Sequence, residues 1–85
     1  SWTARTICDT PGMRELDAAV LRDAEAARAR FAAQPAALDE VESILQRYDA
    51  ERDACAGAAG RVPVDCLQEA MEAAQAALRQ RIARG

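Results

Sequence analysis

The 85-residue sequence contains no histidine and no lysine, and only one residue each of tryptophan, tyrosine and phenylalanine. Without histidine, imidazole acid–base catalysis and histidine-ligated metal sites are excluded. Without lysine, Schiff-base chemistry and a phosphate-loop lysine are excluded. No apolar run approaches the roughly 18 residues that a membrane-crossing helix needs, so we expect no membrane span.

Basic charge and large apolar side chains are also scarce. Eleven arginines stand against 14 acids, and the resulting net charge of −3 argues against a nucleic-acid binder. Apolar residues form 51% of the chain, but 22 of them are alanine. A single core in a chain of this size rarely contributes more than about 3–5 kcal/mol. We therefore expect a covalent staple or a partner to stabilise the fold.

Apolar residues recur at spacings of three and four over three segments, which predicts an all-α, antiparallel up-down bundle of three helices. Residues 1–85 form one domain, with helices over about 10–33, 35–55 and 65–83. The stripes are Met13, Leu16, Val20, Ala24, Ala27 and Phe31 in the first helix, Leu38, Val41, Ile44, Leu45 and Tyr48 in the second, and Val64, Leu67, Met71, Ala74, Leu78 and Ile82 in the third.

The predicted helix starts rest on capping signals. Thr10 is a good N-cap for the first helix, with Pro11 at the first helical position. Asp65 with Gln68 forms a capping-box pattern at the start of the third helix. The residues before Cys8 are too few to assign, and a short helical turn there is an open alternative.

Three cysteines in so short a domain indicate an oxidising compartment. Antiparallel helices bring Cys8, Cys55 and Cys66 to one end of the bundle, here called the cysteine end. Cys55–Cys66 is the expected disulfide, because it joins the two ends of a ten-residue loop and such a closure is worth roughly 2–3 kcal/mol. Cys8 is then unpaired or paired outside this chain. A three-cysteine metal site and a redox-active thiol are less favoured alternatives.

The same topology assigns nine acids and five arginines to the cysteine end and leaves the far end near neutral. Asp49, Glu51 and Asp53 lie near the C-terminus of the second helix, where the helix dipole disfavours acids. Acids at a position that the helix dipole disfavours, with no evident gain in stability, suggest a binding role. The alternative is a solvated helix face with neighbouring arginines. We predict a partner-binding surface formed by Asp49, Glu51, Asp53, Arg61 and Asp65.

Three segments resemble motifs of the LprI-like lysozyme-inhibitor family. Residues 7–17, ICDTPGMRELD, are similar to that family's opening I-C-x-D-P-x-L-x-x-L-D. Residues 52–55, RDAC, match its R-D-x-C, with Tyr48 where the family usually has tryptophan. Cys66 and Leu67 match the C-L at the head of its last helix. The chain departs from the family pattern at Ala24, Met71 and Ala74, which replace two tyrosines and an arginine.

The resemblance implies a small, helical, disulfide-stapled domain that is periplasmic or secreted, with a lipid anchor in the precursor of some members. The family usually has another cysteine upstream of the one matched by Cys8. Ser1-Trp2-Thr3 lacks the basic start and apolar stretch of a signal peptide, so we expect a mature or trimmed form.

These observations favour a non-enzymatic binding protein that inhibits a lysozyme-type peptidoglycan hydrolase. An acidic end would attract a cationic cell-wall hydrolase and speed their encounter. A loop over residues 56–64 could then cover the substrate cleft. We expect no catalytic residues, no cofactor, no bound metal and no nucleic-acid partner. The alternative is a structural or assembly module of the cell envelope that forms a homodimer.

Overall fold

The computed structural model describes residues 2–56 and 63–85, and these residues form four helices. Helix α1 covers Trp2–Asp9, α2 covers Met13–Arg30, α3 covers Pro35–Ala56 and α4 covers Pro63–Arg84. The all-α prediction is confirmed for this part of the chain. The predicted number of helices was three, and α1 is the additional one.

Contacts between the three long helices fix their directions. Arg28 near the end of α2 contacts Glu42 of α3, and Asp17 near the start of α2 contacts Tyr48, so α2 and α3 run in opposite directions. The disulfide joins the end of α3 to the start of α4, which reverses the chain again. The result is a rod of 41 × 22 × 20 Å, in which the cysteine end and the far end are the two tips.

Helix α1 is only eight residues long, and isolated helices of fewer than about 12–15 residues are marginal in water. Its helicity must therefore come from packing. Thr3 and Ile7, one turn apart, are both 8% exposed, and α1 contacts α2 and α3. Sequence periodicity did not reveal this helix, because eight residues make only about two turns and are too few to show a repeated spacing of three and four.

The start of α2 differs from the prediction because α1 precedes it. The amide and the hydroxyl of Thr10 both donate hydrogen bonds to the carbonyl oxygen of Thr6, at 3.1 and 2.7 Å. Thr10 therefore closes α1 instead of capping α2. The N-cap of α2 is Gly12, whose φ of 81° is readily adopted by glycine. Similarly, α4 begins at Pro63, so Asp65 lies in its first turn and not at its N-cap.

The apolar side chains form two buried clusters, one toward each tip. The cysteine-end cluster contains Ile7, Met13, Val20, Tyr48, Cys55, Leu67, Ala70, Met71 and Ala74. The far-end cluster contains Ala24, Ala27, Phe31, Ala37, Val41 and Leu78. Of the predicted stripe residues, Leu16, Leu38, Ile44, Leu45, Val64 and Ile82 are only partly buried and pack at the edges of these clusters. Alanine supplies three of the six residues of the far-end cluster and two of the nine of the cysteine-end cluster, and each alanine buries little apolar area.

Because the clusters are small, the disulfide should carry a large share of the stability. We expect the C55S/C66S double variant to lose about 2–3 kcal/mol of unfolding free energy in urea denaturation. The matched control is C8S. This substitution replaces an exposed thiol that is not part of the disulfide, so the urea midpoint should not change. Equal midpoints for the double variant and the parent protein would contradict this prediction.

Candidate functional site at the cysteine end

The disulfide at the cysteine end has the predicted partners. Cys55 in the last turn of α3 is bonded to Cys66 in the first turn of α4, with a Cα–Cα distance of 5.7 Å. Cys55 is 2% exposed and belongs to the same cluster as Ile7, the neighbour of Cys8. Cys8 is free and exposed. Because two of the three sulfurs are joined, the alternative of a three-cysteine metal site does not hold.

A polar network braces α2 against α3 beside the cysteine-end cluster. The Tyr48 hydroxyl donates a hydrogen bond to Asp17 Oδ1 at 3.0 Å. The Arg52 guanidinium lies over the Tyr48 ring, 5.0 Å from its centroid, and its Nη1 atom is 3.7 Å from the same Asp17 oxygen. The Asp17 carboxylate therefore faces a phenol and a guanidinium that lie one helical turn apart on α3.

The environment of this network changes the acidity of the phenol. Burial, followed by the Asp17 carboxylate, raises the pKa of Tyr48 to about 12, although Arg52 opposes the shift. The Arg52 Nε atom is buried without a hydrogen-bond partner among the described residues. Tyr48 and Arg52 are thus held by packing and charge as well as by the hydrogen bond to Asp17, and this network ties α3 to α2.

The predicted acidic residues do not form one surface. Successive helical residues are about 100° apart, so Glu51 points about 160° away from both Asp49 and Asp53. Asp49 and Asp53 are exposed, whereas Glu51 is half-buried in the groove between α3 and α4. The sequence prediction correctly placed these acids near the end of α3, but it treated them as one patch.

Two of the predicted acids lie close in sequence to the disulfide cysteines, although Asp53 points about 160° away from Cys55 around α3. Asp53 precedes Cys55 by two residues, and Asp65 immediately precedes Cys66. Both are exposed. The dipole of α4 favours Asp65 in its first turn, whereas that of α3 disfavours Asp53 in its last turn. This effect fades within one turn, so the unfavourable placement applies to Asp53 rather than to Asp49 or Glu51.

Three acids toward the far end form ion pairs, whereas four of the predicted acids at the cysteine end form none within the described part of the chain. Three acids toward the far end contact arginines: Asp23 pairs with Arg79, Glu42 with Arg28, and Glu40 with both Arg81 and Arg84. Asp49, Glu51, Asp53 and Asp65 form no ion pair within residues 2–56 and 63–85. These four acids therefore keep their negative charge without a direct ion pair among the described residues, whereas Asp17 is paired with Arg52.

The disulfide also forms part of a groove. The α3–α4 seam beside it holds an open space of about 380 Å³ lined by Glu51, Cys55, Cys66, Glu69 and Ala70, among others. The small α4 side chains leave room for this space, and two carboxylates flank it. It provides a second acidic feature on a different side of the tip from Asp49 and Asp53.

Part of the predicted contact surface lies outside the described residues. Arg61 and most of the predicted 56–64 loop belong to residues 57–62. Of the remaining positions of that predicted loop, Ala56 belongs to α3, and Pro63 and Val64 belong to α4.

Sequence reasoning missed the role of Asp17, which it counted among the surplus acids. The structure pairs this carboxylate with Tyr48 and Arg52. The spacing of four residues between Tyr48 and Arg52 could have indicated that the two share a helix face. Their partner on α2 depends on how the helices pack, and local spacing carries no such information.

Comparisons of the chain with protein-family models, curated proteins and solved structures find no match. Among the described helices, none is long and apolar enough to cross a membrane. Residues 2–56 and 63–85 also contain no group of three or more cysteines and acids arranged to hold a metal ion.

The raised pKa of Tyr48 predicts a pH dependence of stability. Tyr48 is the only tyrosine, and without lysine few other groups titrate between pH 10 and 12. We expect tyrosinate absorbance in the folded protein to appear with a midpoint near pH 12. Because the folded pKa is the higher one, the stabilisation is complete below about pH 10, the unfolded value, and is lost as pH rises toward 12.

The matched variant for this titration is Tyr48→Phe. It removes the titrating hydroxyl, so its stability should fall less between pH 10 and 12 than that of the parent protein. At pH 7 it should be less stable by about 0.5–1.5 kcal/mol, because Asp17 loses a hydrogen-bond donor. A parent midpoint near pH 10 would show that the hydroxyl is not buried against Asp17.

Proposed function

We propose that this chain is a non-enzymatic binding protein of the cell envelope that inhibits a cationic, lysozyme-type peptidoglycan hydrolase. One observation carries the proposal: Asp49, Glu51, Asp53 and Asp65 lack ion-pair partners among the described residues, while three far-end acids are paired. Acids without a direct ion pair among the described residues are available to an external cation.

The charge distribution supports fast association with a basic partner. Acids at one tip of a rod 41 Å long give the molecule a dipole along its long axis. Such a field orients an approaching basic protein and raises the association rate, and added salt screens it. The net charge of −3 has the same sign, so the far end does not reverse the attraction.

Two cross-links between helices near the cysteine end support inhibition by steric blockage. The disulfide joins α3 to α4, and the network of Asp17, Tyr48 and Arg52 joins α2 to α3. Asp53 and Asp65 are consequently held on helices whose ends are already ordered. A surface ordered before binding loses less conformational entropy when it covers a substrate cleft.

The resemblance to the LprI-like family is consistent with this assignment. In this proposal α2, α3 and α4 correspond to the three-helix, disulfide-stapled unit of that family, and α1 is an addition at its cysteine end. A disulfide is compatible with a periplasmic or secreted location. We include Asp49, Asp53 and Asp65 in the proposed contact surface, while Glu51 faces the α3–α4 groove.

An activity assay tests the proposal. The rate at which a basic lysozyme clears a suspension of peptidoglycan should fall as the protein is added at low salt. The D53N/D65N variant removes two exposed charges at the cysteine end without changing side-chain size. We expect its inhibition constant to rise about tenfold, with a smaller difference at high salt.

The matched control is E25Q/D39N, which removes the same charge from exposed far-end positions. It should inhibit nearly as well as the parent protein. Thermal melting of both variants separates loss of contact from loss of fold. Unchanged lysozyme activity at a large molar excess of the parent protein in low salt would eliminate the inhibitor proposal.

Self-association is the second candidate function, and the exposed residues Leu21 and Cys8 favour it. Leu21 is 55% exposed, and Cys8 carries a free thiol. A homodimer would cover the leucine or join the two thiols. We expect sedimentation analysis to show a dimer. The Leu21→Ser substitution should weaken a dimer that covers the leucine, and a reductant should dissociate a dimer joined through Cys8. A monomer at all concentrations, with and without reductant, would remove this candidate.

A further inference from the structure

The seam between α3 and α4 opens into another groove on the side away from the disulfide. Its volume is about 380 Å³. Helix α3 lines it with residues 40, 43, 44 and 47, and α4 with residues 77, 80, 81 and 84. Both sets follow the i, i+3, i+4, i+7 pattern of a single helix face, so two facing stripes form the walls. The groove is built on helices and not on loops.

The charge in this groove is unbalanced. Three arginines, Arg47, Arg81 and Arg84, line it together with one acid, Glu40. The Glu40 carboxylate accepts hydrogen bonds from Arg81 and from Arg84, so one negative charge serves two cations. Arg47 forms no ion pair within residues 2–56 and 63–85. The lining therefore has an excess of two positive charges in a protein whose net charge is −3.

One of these cations is held in place before any ligand arrives. The Arg81 side chain is only 12% exposed, and its guanidinium lies over the Phe31 ring, 4.6 Å from the centroid. Phe31 is fully buried in the far-end cluster. Stacking and the Glu40 contact together fix the planar guanidinium, which reduces the entropy lost when it binds an oxyanion.

The remaining lining has neutral donors and an apolar part. Ser43 and Gln80 can donate hydrogen bonds to oxygen atoms, and Ile44 and Ala77 are apolar. Guanidinium groups bind phosphate and carboxylate oxygens through paired hydrogen bonds. An excess of two positive charges matches a phosphate monoester, which carries nearly two negative charges at pH 7, better than it matches a single carboxylate.

We propose that this groove between α3 and α4 binds a small phosphate monoester, with the phosphate against Arg47, Arg81 and Arg84 and the organic group on Ile44 and Ala77. The proposal is independent of the inhibitor function, because the groove lies on the α3–α4 seam away from Asp53 and Asp65. The phosphate would share Arg81 and Arg84 with Glu40, and Arg47 would contribute the charge that has no internal partner.

Titration of isotopically labelled protein with phenyl phosphate and, separately, with inorganic phosphate tests this site by NMR at pH 7.5 and low salt. We expect saturable shift changes confined to the two groove stripes. Phenyl phosphate should bind more tightly than inorganic phosphate because its ring covers Ile44 and Ala77. Binding of both should weaken at pH 5, where the phosphate loses one charge. The chain has no histidine to titrate in that interval.

Three variants distinguish specific binding in the groove from general attraction of the phosphate to positive charge. Arg47→Gln should weaken phenyl phosphate binding about three- to tenfold. Glu40→Gln should tighten it, because the carboxylate that competes for Arg81 and Arg84 is removed; a purely structural residue would not give this gain. The control Arg22→Gln removes an exposed arginine of α2 that does not line the groove, and it should leave binding unchanged.

Four results would overturn the proposal. The first is the absence of saturable binding up to tens of millimolar ligand, a range typical of weak small-ligand sites. The second is equal loss of affinity in the Arg47 and Arg22 variants, which would indicate attraction to net charge only. The third is no gain in affinity from Glu40→Gln in protein that melts normally. The fourth is equal affinity for phenyl phosphate and inorganic phosphate, which would remove the apolar part of the site.

Discussion

The disulfide between Cys55 and Cys66 joins two helices whose seam is lined largely by alanines on the α4 side and by Ile44 and Tyr48 on the α3 side. Ala70, Ala73, Ala74 and Ala77 lie along the α4 side of their seam. Alanine brings helices close together, but each residue buries little area, so apolar packing alone stabilises the seam weakly. The covalent link reduces the entropy of the unfolded chain and so acts independently of the size of the core. The grooves along this seam follow from the same composition, since small side chains leave space between two fixed helices.

The charges of the molecule are divided between its two ends by the same helix directions. Toward the far end, Glu40 and Glu42 contact arginines of neighbouring helices, and these contacts fasten the helix ends. Exposed ion pairs of this kind contribute little to stability. Their larger effect is on the surface potential, because they neutralise these far-end acids, whereas Asp49, Asp53 and Asp65 have no ion pair among the described residues. An acidic tip and an arginine-lined groove can therefore coexist in a chain of 85 residues.

The internal polar network shows how a small core can include charged groups. Tyr48 is buried, yet its hydroxyl donates to Asp17 and its ring lies beneath Arg52. The carboxylate and the guanidinium are both partly exposed, with side-chain exposures of 24% and 28%, so neither loses all of its hydration. The phenol is the group that is most affected, which is why its pKa rises. This arrangement orders the cysteine end without requiring a larger apolar core.

The sequence by itself determined the helical class, the three long helices to within a few residues, and the Cys55–Cys66 pairing, because periodicity, proline breaks and loop length are local properties. Only the tertiary structure decided that α1 forms, since Thr3 and Ile7 are buried by other helices. It likewise decided that Thr10 closes α1, that Asp17 faces Tyr48, and that Arg47 and Arg81 line the same groove. Each of these depends on the rotation of one helix against another. Residue spacing along a single helix gives the face on which a side chain lies, and packing between helices decides what that face meets.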